Sequence, residues 1–179
     1  VCTNRLYVQA GIYDRFVEAF AKATDELVVG SGLESGTTQG PLIDDAAVAK
    51  VEEFLTDAIG KGGKVVTGGE RHSKGGRFFQ PTVVSGATAD MQFAREEIFG
   101  PIAPVFRFET EAEAVKAAND TEFGLAAYFY TKDLGRAFRV SERLQYGLVG
   151  INEGMITTEV APFGGFKESG VGKEGSKYG

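Results

Sequence analysis

The 179-residue chain has no tryptophan, one cysteine, one histidine and five prolines. A single thiol excludes an internal disulfide framework and suits a reducing compartment. The expected location is cytoplasmic, with an organelle left open because the chain does not begin at methionine. One histidine beside one cysteine is too little to build a zinc centre, so no metal site is expected. His72 lies in the polar stretch Glu70-Arg71-His72-Ser73-Lys74 and reads as a loop residue. No Gly-x-Ser-x-Gly elbow accompanies it, which argues against serine-hydrolase chemistry. Positive charge is also short: 19 Lys and Arg against 25 Asp and Glu leave a net charge of −6. That balance argues against nucleic acid and anionic membrane as partners. No apolar run approaches the roughly 18 residues of a membrane span, and no signal-peptide pattern is present.

Glycine is plentiful, at 25 residues, and clusters where short connections are needed. Hydrophobic and charged fractions of 42% and 25% are those of a globular domain. Residues 5–9 read as a strand. A helix over 13–28 would turn Phe16, Phe20 and Leu27 to one side. After a Gly/Ser/Thr-rich loop at 30–40, Val48, Val51, Leu55 and Ile59 mark a second helix that Gly60 stops. Lys64–Thr67 and 81–84 read as extended. Ile102–Phe108 reads as a strand in which Pro104 implies an edge or a bulge. Thr110-Glu111-Ala112-Glu113 is a capping box opening a helix to about Asn119. A strand follows at 126–130. Asp133 can cap a helix carrying Leu134, Ala137 and Phe138 inward. Leu148–Ile151 reads as the last strand. This alternation implies parallel strands joined by right-handed crossovers, hence an α/β fold with a mostly parallel sheet and flanking helices. Ligands of such sheets bind beyond the carboxyl ends of the strands, so the segment after Ile151 is the expected site wall. Asn152 opens that segment without an assigned role.

Three motifs carry chemical information: Val1-Cys2-Thr3-Asn4-Arg5-Leu6-Tyr7-Val8-Gln9, Glu96-Glu97-Ile98-Phe99-Gly100-Pro101, and Ala161-Pro162-Phe163-Gly164-Gly165-Phe166-Lys167-Glu168-Ser169-Gly170. Taken singly, an acid pair before a turn is ordinary surface, and Phe163 is one of 14 phenylalanines. Taken together, the motifs resemble the aldehyde dehydrogenase superfamily, and the resemblance covers essentially the whole chain. Gly40-Pro41-Leu42-Ile43, Asn119-Asp120-Thr121-Glu122-Phe123-Gly124-Leu125-Ala126-Ala127 and Gly175-Ser176-Lys177-Tyr178-Gly179 are similar to its succinate-semialdehyde dehydrogenase branch.

The resemblance implies part of an aldehyde dehydrogenase catalytic domain. Residues 1–165 would be the aldehyde-binding segment and 166–179 a glycine-rich stretch leading out of it. In the family the nucleophilic cysteine stands five residues before the arginine matching Arg5, which puts it just before Val1. No catalytic residue is therefore expected within these 179 residues, and the chain alone is expected to be inactive. Cys2 would match the second cysteine of a Cys-x-Cys pair. It reads either as a redox-regulatory thiol that forms a reversible disulfide with the nucleophile or as a small buried residue.

The family pattern gives Glu97 the nicotinamide ribose hydroxyls, Phe99 the nicotinamide ring and Phe163 the aromatic wall of a substrate tunnel. A carboxylate can accept two hydroxyl protons, and an aromatic face can position a flat ring. Thr157 stands where the branch has a serine that bonds the substrate's distal carboxylate; it reads otherwise as a solvent-facing loop threonine. The complete enzyme would oxidise succinate semialdehyde to succinate with NAD or NADP, through a cysteine thiohemiacetal and a thioester. Its partner would be a small aldehyde, and its usual assembly a homodimer or homotetramer. Glutarate semialdehyde, an uncharged aldehyde, and a non-catalytic dehydrogenase-like module are the competing readings. Gly170-Val171-Gly172-Lys173-Glu174-Gly175 matches the letters of the dinucleotide fingerprint but lacks its strand–helix context, and reads as a flexible or packing loop.

Overall fold

The computed structural model describes residues 3–178, which divide into two units at Glu109 and Thr110. Cys2 lies outside the described residues.

The first unit contains β1 (Leu6–Gln9), α1 (Tyr13–Asp25), α2 (Asp45–Gly60), β2 (Lys64–Thr67), β3 (Thr82–Ala87) and β4 (Ile102–Phe108). Its sheet has the order β1-β4-β3-β2. The pairs β1–β4 and β3–β4 are parallel, while β2 runs antiparallel to β3 at the edge. Successive strand residues face opposite sides, and the sequence fills both sides with apolar groups, as a sheet sandwiched between helices requires. Val83 and Val105 join Val8 under Tyr13 and Val17 of α1. Val84, Ile102 and Phe106 join Val48, Val51, Leu55 and Ala58 of α2 on the other face. Asp44 starts α2 by accepting the Ala47 N–H at 2.7 Å, a side-chain cap.

The mostly parallel α/β fold is as expected, with four local corrections. First, α1 ends at Asp25, and Leu27 and Val28 are exposed beyond it. Its buried stripe is Tyr13, Val17, Ala21 and Thr24, with Phe16 and Phe20 at the flank, because the Tyr13 hydroxyl is tied into the sheet. Second, Ile59 is 56% exposed and Ala58 is buried in its stead, continuing the four-residue step from Phe54. Third, Pro104 sits in the interior strand β4, in register with Val84, at neither an edge nor the bulge, which falls at Gly86 of β3. Parallel strands direct successive N–H groups to alternate neighbours, so a proline removes one bond on one side only. β1 pairs with β4 only from Val105 onward, so Pro104 precedes that ladder.

The second unit contains α3 (Glu111–Asn119), β5 (Phe123–Gly124), β6 (Ala126–Phe129), α4 (Leu134–Ser141), β7 (Leu148–Ile151) and β8 (Phe166–Lys167). β6 and β7 pair in parallel around the intervening α4, and β5 pairs antiparallel with β8. Thr110 caps α3 by accepting the Glu113 N–H at 3.2 Å, as the capping box predicts. Asp133 caps α4 by accepting the Arg136 N–H at 2.6 Å.

The fourth correction concerns α4. Leu134 and Phe138 point outward, 74% and 63% exposed, while Val140 is buried. The side of α4 toward α3 carries ion pairs instead. Glu111 of α3 accepts from Arg139 Nε and Nη2, both at 2.7 Å, and from Arg136 Nε at 2.9 Å. Those two arginines lie on the side of α4 that meets α3. At 3.6 residues per turn, Leu134 and Phe138 then fall on roughly the opposite side. The paired guanidiniums, Arg139 foremost, hold the Glu111 carboxyl down at about 2.

Candidate functional site

Glu97 and Phe99 share one loop of the first unit, between a 3-10 turn at Gln92–Ala94 and β4. The loop alternates inward and outward residues. Phe93 and Ile98 are buried among the residues packed on α2, and Glu97 and Phe99, on either side of Ile98, are exposed. Gly100 lets the loop lie against α2, since a Cβ there would come within 2.5 Å of Val51 Cγ2. Phe99 has a backbone φ of 45°, a left-handed conformation that a non-glycine residue holds only when its surroundings enforce it. Its ring is 79% exposed. The Glu97 carboxylate takes no hydrogen bond or ion pair among the described residues.

Two side chains outside the loop fix its backbone. Asn4 donates from Nδ2 to the Phe93 carbonyl at 3.0 Å and to the Glu96 carbonyl at 3.3 Å. Its Oδ1 accepts the Ile98 N–H at 2.9 Å. From α2, Lys50 Nζ donates to the Glu97 carbonyl at 2.7 Å. Asn4 lies within the first sequence motif but carried no role there, and Lys50 lies in none; their partners lie far along the chain, and no local pattern reveals them. Chemically, the loop presents an open carboxylate and an open aromatic face on a backbone with little freedom.

Thr157 and Phe163 lie on one stretch of the second unit, beyond the end of β7. Asn152 turns the chain there with φ 57°. Its Oδ1 accepts the Thr131 N–H and its Nδ2 donates to the Thr131 carbonyl, both at 2.8 Å, so the exits of β6 and β7 are locked together. This gives Asn152 a structural role. Glu153 Oε1 accepts the N–H groups of Gly154 and Met155, at 2.8 and 2.9 Å. Thr157 follows, exposed, its hydroxyl without a partner among the described residues.

Phe163 is half-buried and pairs its backbone with Glu174 through bonds of 2.8 and 2.7 Å. The glycine-rich residues 170–175 are thus a packing segment behind Phe163. The Gly172 carbonyl lies so close to Gly164 that a side chain at 164 has no room, and Lys173 Nζ donates to the Gly165 carbonyl at 3.1 Å. Among the described residues no group of three His, Cys, Asp or Glu could hold a metal ion, and no helix is long and apolar enough to cross a membrane.

Comparison with known proteins supplies the family. The chain is 60% identical over 179 residues to the succinate-semialdehyde dehydrogenase [NADP(+)] GabD of Escherichia coli K12, covering all of this chain and 37% of that protein. It is 59% identical, with the same coverage, to a glutarate-semialdehyde dehydrogenase of Pseudomonas aeruginosa. A crystal structure of an E. coli NADP-dependent enzyme superposes with a TM-score of 0.97 at 60% identity, covering 99% of this chain and 37% of that one. The chain therefore spans little more than a third of the length of these relatives. The model of the aldehyde dehydrogenase family matches residues 1–179, and the chain belongs to that family.

Proposed function

We propose that the complete protein carrying this chain is an NAD(P)-dependent semialdehyde dehydrogenase that oxidises succinate semialdehyde to succinate. The observation that carries the reading is the clamped loop on which the Glu97 carboxylate and the Phe99 ring stand open side by side. Both fit a nicotinamide nucleotide. A carboxylate with no protein partner can accept both hydroxyls of one ribose, and an exposed aromatic face can align a flat ring. Thr157 keeps a hydroxyl free to donate to a distal carboxylate, and Phe163, braced from behind, is suited to wall an aldehyde tunnel. Residues 1–165 are then the catalytic-domain segment, with 166–179 leading out of it, in a homodimer or homotetramer.

In this reading the attacking thiol comes from a cysteine just before Val1, and covalent capture divides one hard oxidation into two easier steps. A nicotinamide nucleotide held by Glu97 and Phe99 would supply the hydride acceptor for this oxidation. This chain's residues bind and orient: Glu97 and Phe99 the nucleotide, Thr157 and Phe163 the aldehyde. Water then hydrolyses the thioester to the acid. Cys2 is read as a redox-regulatory thiol, with a small buried residue as the alternative.

The names of the relatives favour succinate and glutarate semialdehydes almost equally. The test is turnover of succinate semialdehyde, glutarate semialdehyde and butanal by the complete protein, before and after Thr157→Val. A hydrogen bond to a charged group contributes about 1.5–3 kcal/mol, so kcat/KM for the carboxylated substrate should fall about 10- to 100-fold while butanal is unaffected. Equal effects on all three aldehydes would remove Thr157 from carboxylate binding. The 179-residue chain alone should show no turnover.

A further inference from the structure

We infer that Asn4 is a positioning residue for the cofactor, acting through the loop that carries Glu97 and Phe99. The inference rests on reading those two side chains as nucleotide contacts.

The loop runs between a 3-10 turn and β4 without a strand partner, so its backbone groups need partners from elsewhere. One amide supplies three of them. Asn4 Nδ2 holds the Phe93 and Glu96 carbonyls at 3.0 and 3.3 Å, and Oδ1 holds the Ile98 N–H at 2.9 Å. The Glu96 carbonyl and the Ile98 N–H flank Glu97 on both sides. Fixing them fixes the direction in which the Glu97 side chain leaves the backbone. The same bonds anchor Ile98 immediately before Phe99, whose φ of 45° persists only under restraint. Few side chains can replace this one. Aspartate lacks the donors, serine lacks the reach and the second hydrogen, and glutamine is a methylene too long. Lys50 adds one further tie, at the Glu97 carbonyl, 2.7 Å away.

Removing the clamp should therefore weaken nucleotide binding by letting Glu97 and Phe99 wander, and should leave aldehyde binding alone. A structural role by itself would lower stability without separating the two ligands.

The experiment is a double-mutant cycle in the complete protein, with Asn4→Ala, Glu97→Gln and the double variant. Fluorescence titration with NADH and NADPH reads the cofactor Kd, steady-state kinetics the aldehyde KM, and thermal melting the folded state. Asn4→Ala is expected to raise the cofactor Kd about tenfold, the loss of two or three modest hydrogen bonds felt only in part at the ligand, with aldehyde KM within about twofold. In the Glu97→Gln background it should add less than about twofold, because residues acting as one unit are not additive. Asn4→Asp keeps an acceptor for the Ile98 N–H but turns its second oxygen on the Phe93 and Glu96 carbonyls, so its Kd should rise at least as far as that of Asn4→Ala. It carries the same cycle if the alanine variant does not fold. An unchanged cofactor Kd in the folded Asn4 variants, or fully additive losses, overturns the inference while Glu97 keeps its role. An unchanged Kd in Glu97→Gln overturns the cofactor reading and this inference together.

Discussion

The Tyr13 hydroxyl accepts the Gly86 N–H at 2.8 Å and donates to the Val105 carbonyl at 2.8 Å. Gly86 is the extra residue of a bulge: β3 pairs Ser85 with Val105 and Ala87 with Phe106, which leaves Gly86 out of the ladder. Its φ of 69° is one glycine adopts freely. A helix side chain thus satisfies the amide that the bulge orphans, and α1 is bolted to the sheet at that point.

Tyr13→Phe keeps the ring and strands both backbone groups. Gly86 is exposed but Val105 is buried, and leaving a buried polar group unpaired costs about 1–3 kcal/mol. Chemical denaturation should show that loss as a lower midpoint with an unchanged slope, and the Gly86 amide should exchange faster with solvent. A midpoint equal to wild type would mean that water replaces the hydroxyl.

Phe93 is fully buried, and its ring meets Phe106 edge-on at 6.2 Å. It is also the residue whose carbonyl Asn4 holds. Phe93→Ala should cost about 3–5 kcal/mol through lost burial and a residual cavity. Because the cavity opens beneath the loop, cofactor affinity should fall with stability. A destabilised variant with wild-type cofactor affinity would show that the loop is held by its hydrogen bonds alone.

The strands at Lys64–Thr67, Ile102–Phe108 and Leu148–Ile151 could be read from sequence to the residue, because apolar runs between glycine-rich turns leave few alternatives. The caps at Thr110 and Asp133 were equally legible, being local chemistry. Helix orientation was not. Leu134 and Phe138 face outward, opposite the two arginines that pair with Glu111, more than twenty residues away in sequence. Pro104 misled because the neighbour of a strand is a property of the sheet. Family resemblance singled out Glu97, Phe99, Thr157 and Phe163, whereas Asn4 stood in a quoted motif without a role and Lys50 stood in none. Their bonds span 89 to 94 and 47 residues of sequence, and no local pattern encodes such distances.

Glu111 gives a pH dependence with a definite sign. Its carboxyl sits at about 2 in the folded protein against a usual 4.5, so the folded state favours the charged form. Stability from this group is complete above the unfolded value of 4.5 and is lost as pH falls through about 2. Glu111→Gln should melt below wild type at neutral pH, and the gap should close as the pH is lowered through that window. Melting curves from pH 7 downward read it directly. A gap that stays constant with pH would assign the effect to packing rather than charge.

Gly147 lies against the stretch that carries Phe163. A Cβ at this position would come within 2.9 Å of the Gly165 Cα and closer still to the Gly164 carbonyl. The residue itself cannot retreat, because its N–H donates to the Gly124 carbonyl at 2.9 Å on the β5 side. In Gly147→Ala the 162–165 stretch must therefore give way and take the Phe163 ring with it. In the complete protein, aldehyde KM should rise several-fold while the cofactor Kd stays as it was, since Glu97 and Phe99 belong to a different loop. Gly11→Ala, with no atom within 4 Å of the added carbon, is the matched control and should change neither. If Gly147→Ala folds and leaves aldehyde KM unaltered, the stretch can shift without consequence for the substrate. Phe163 would then be a packing residue, and its role as a tunnel wall would have to be given up.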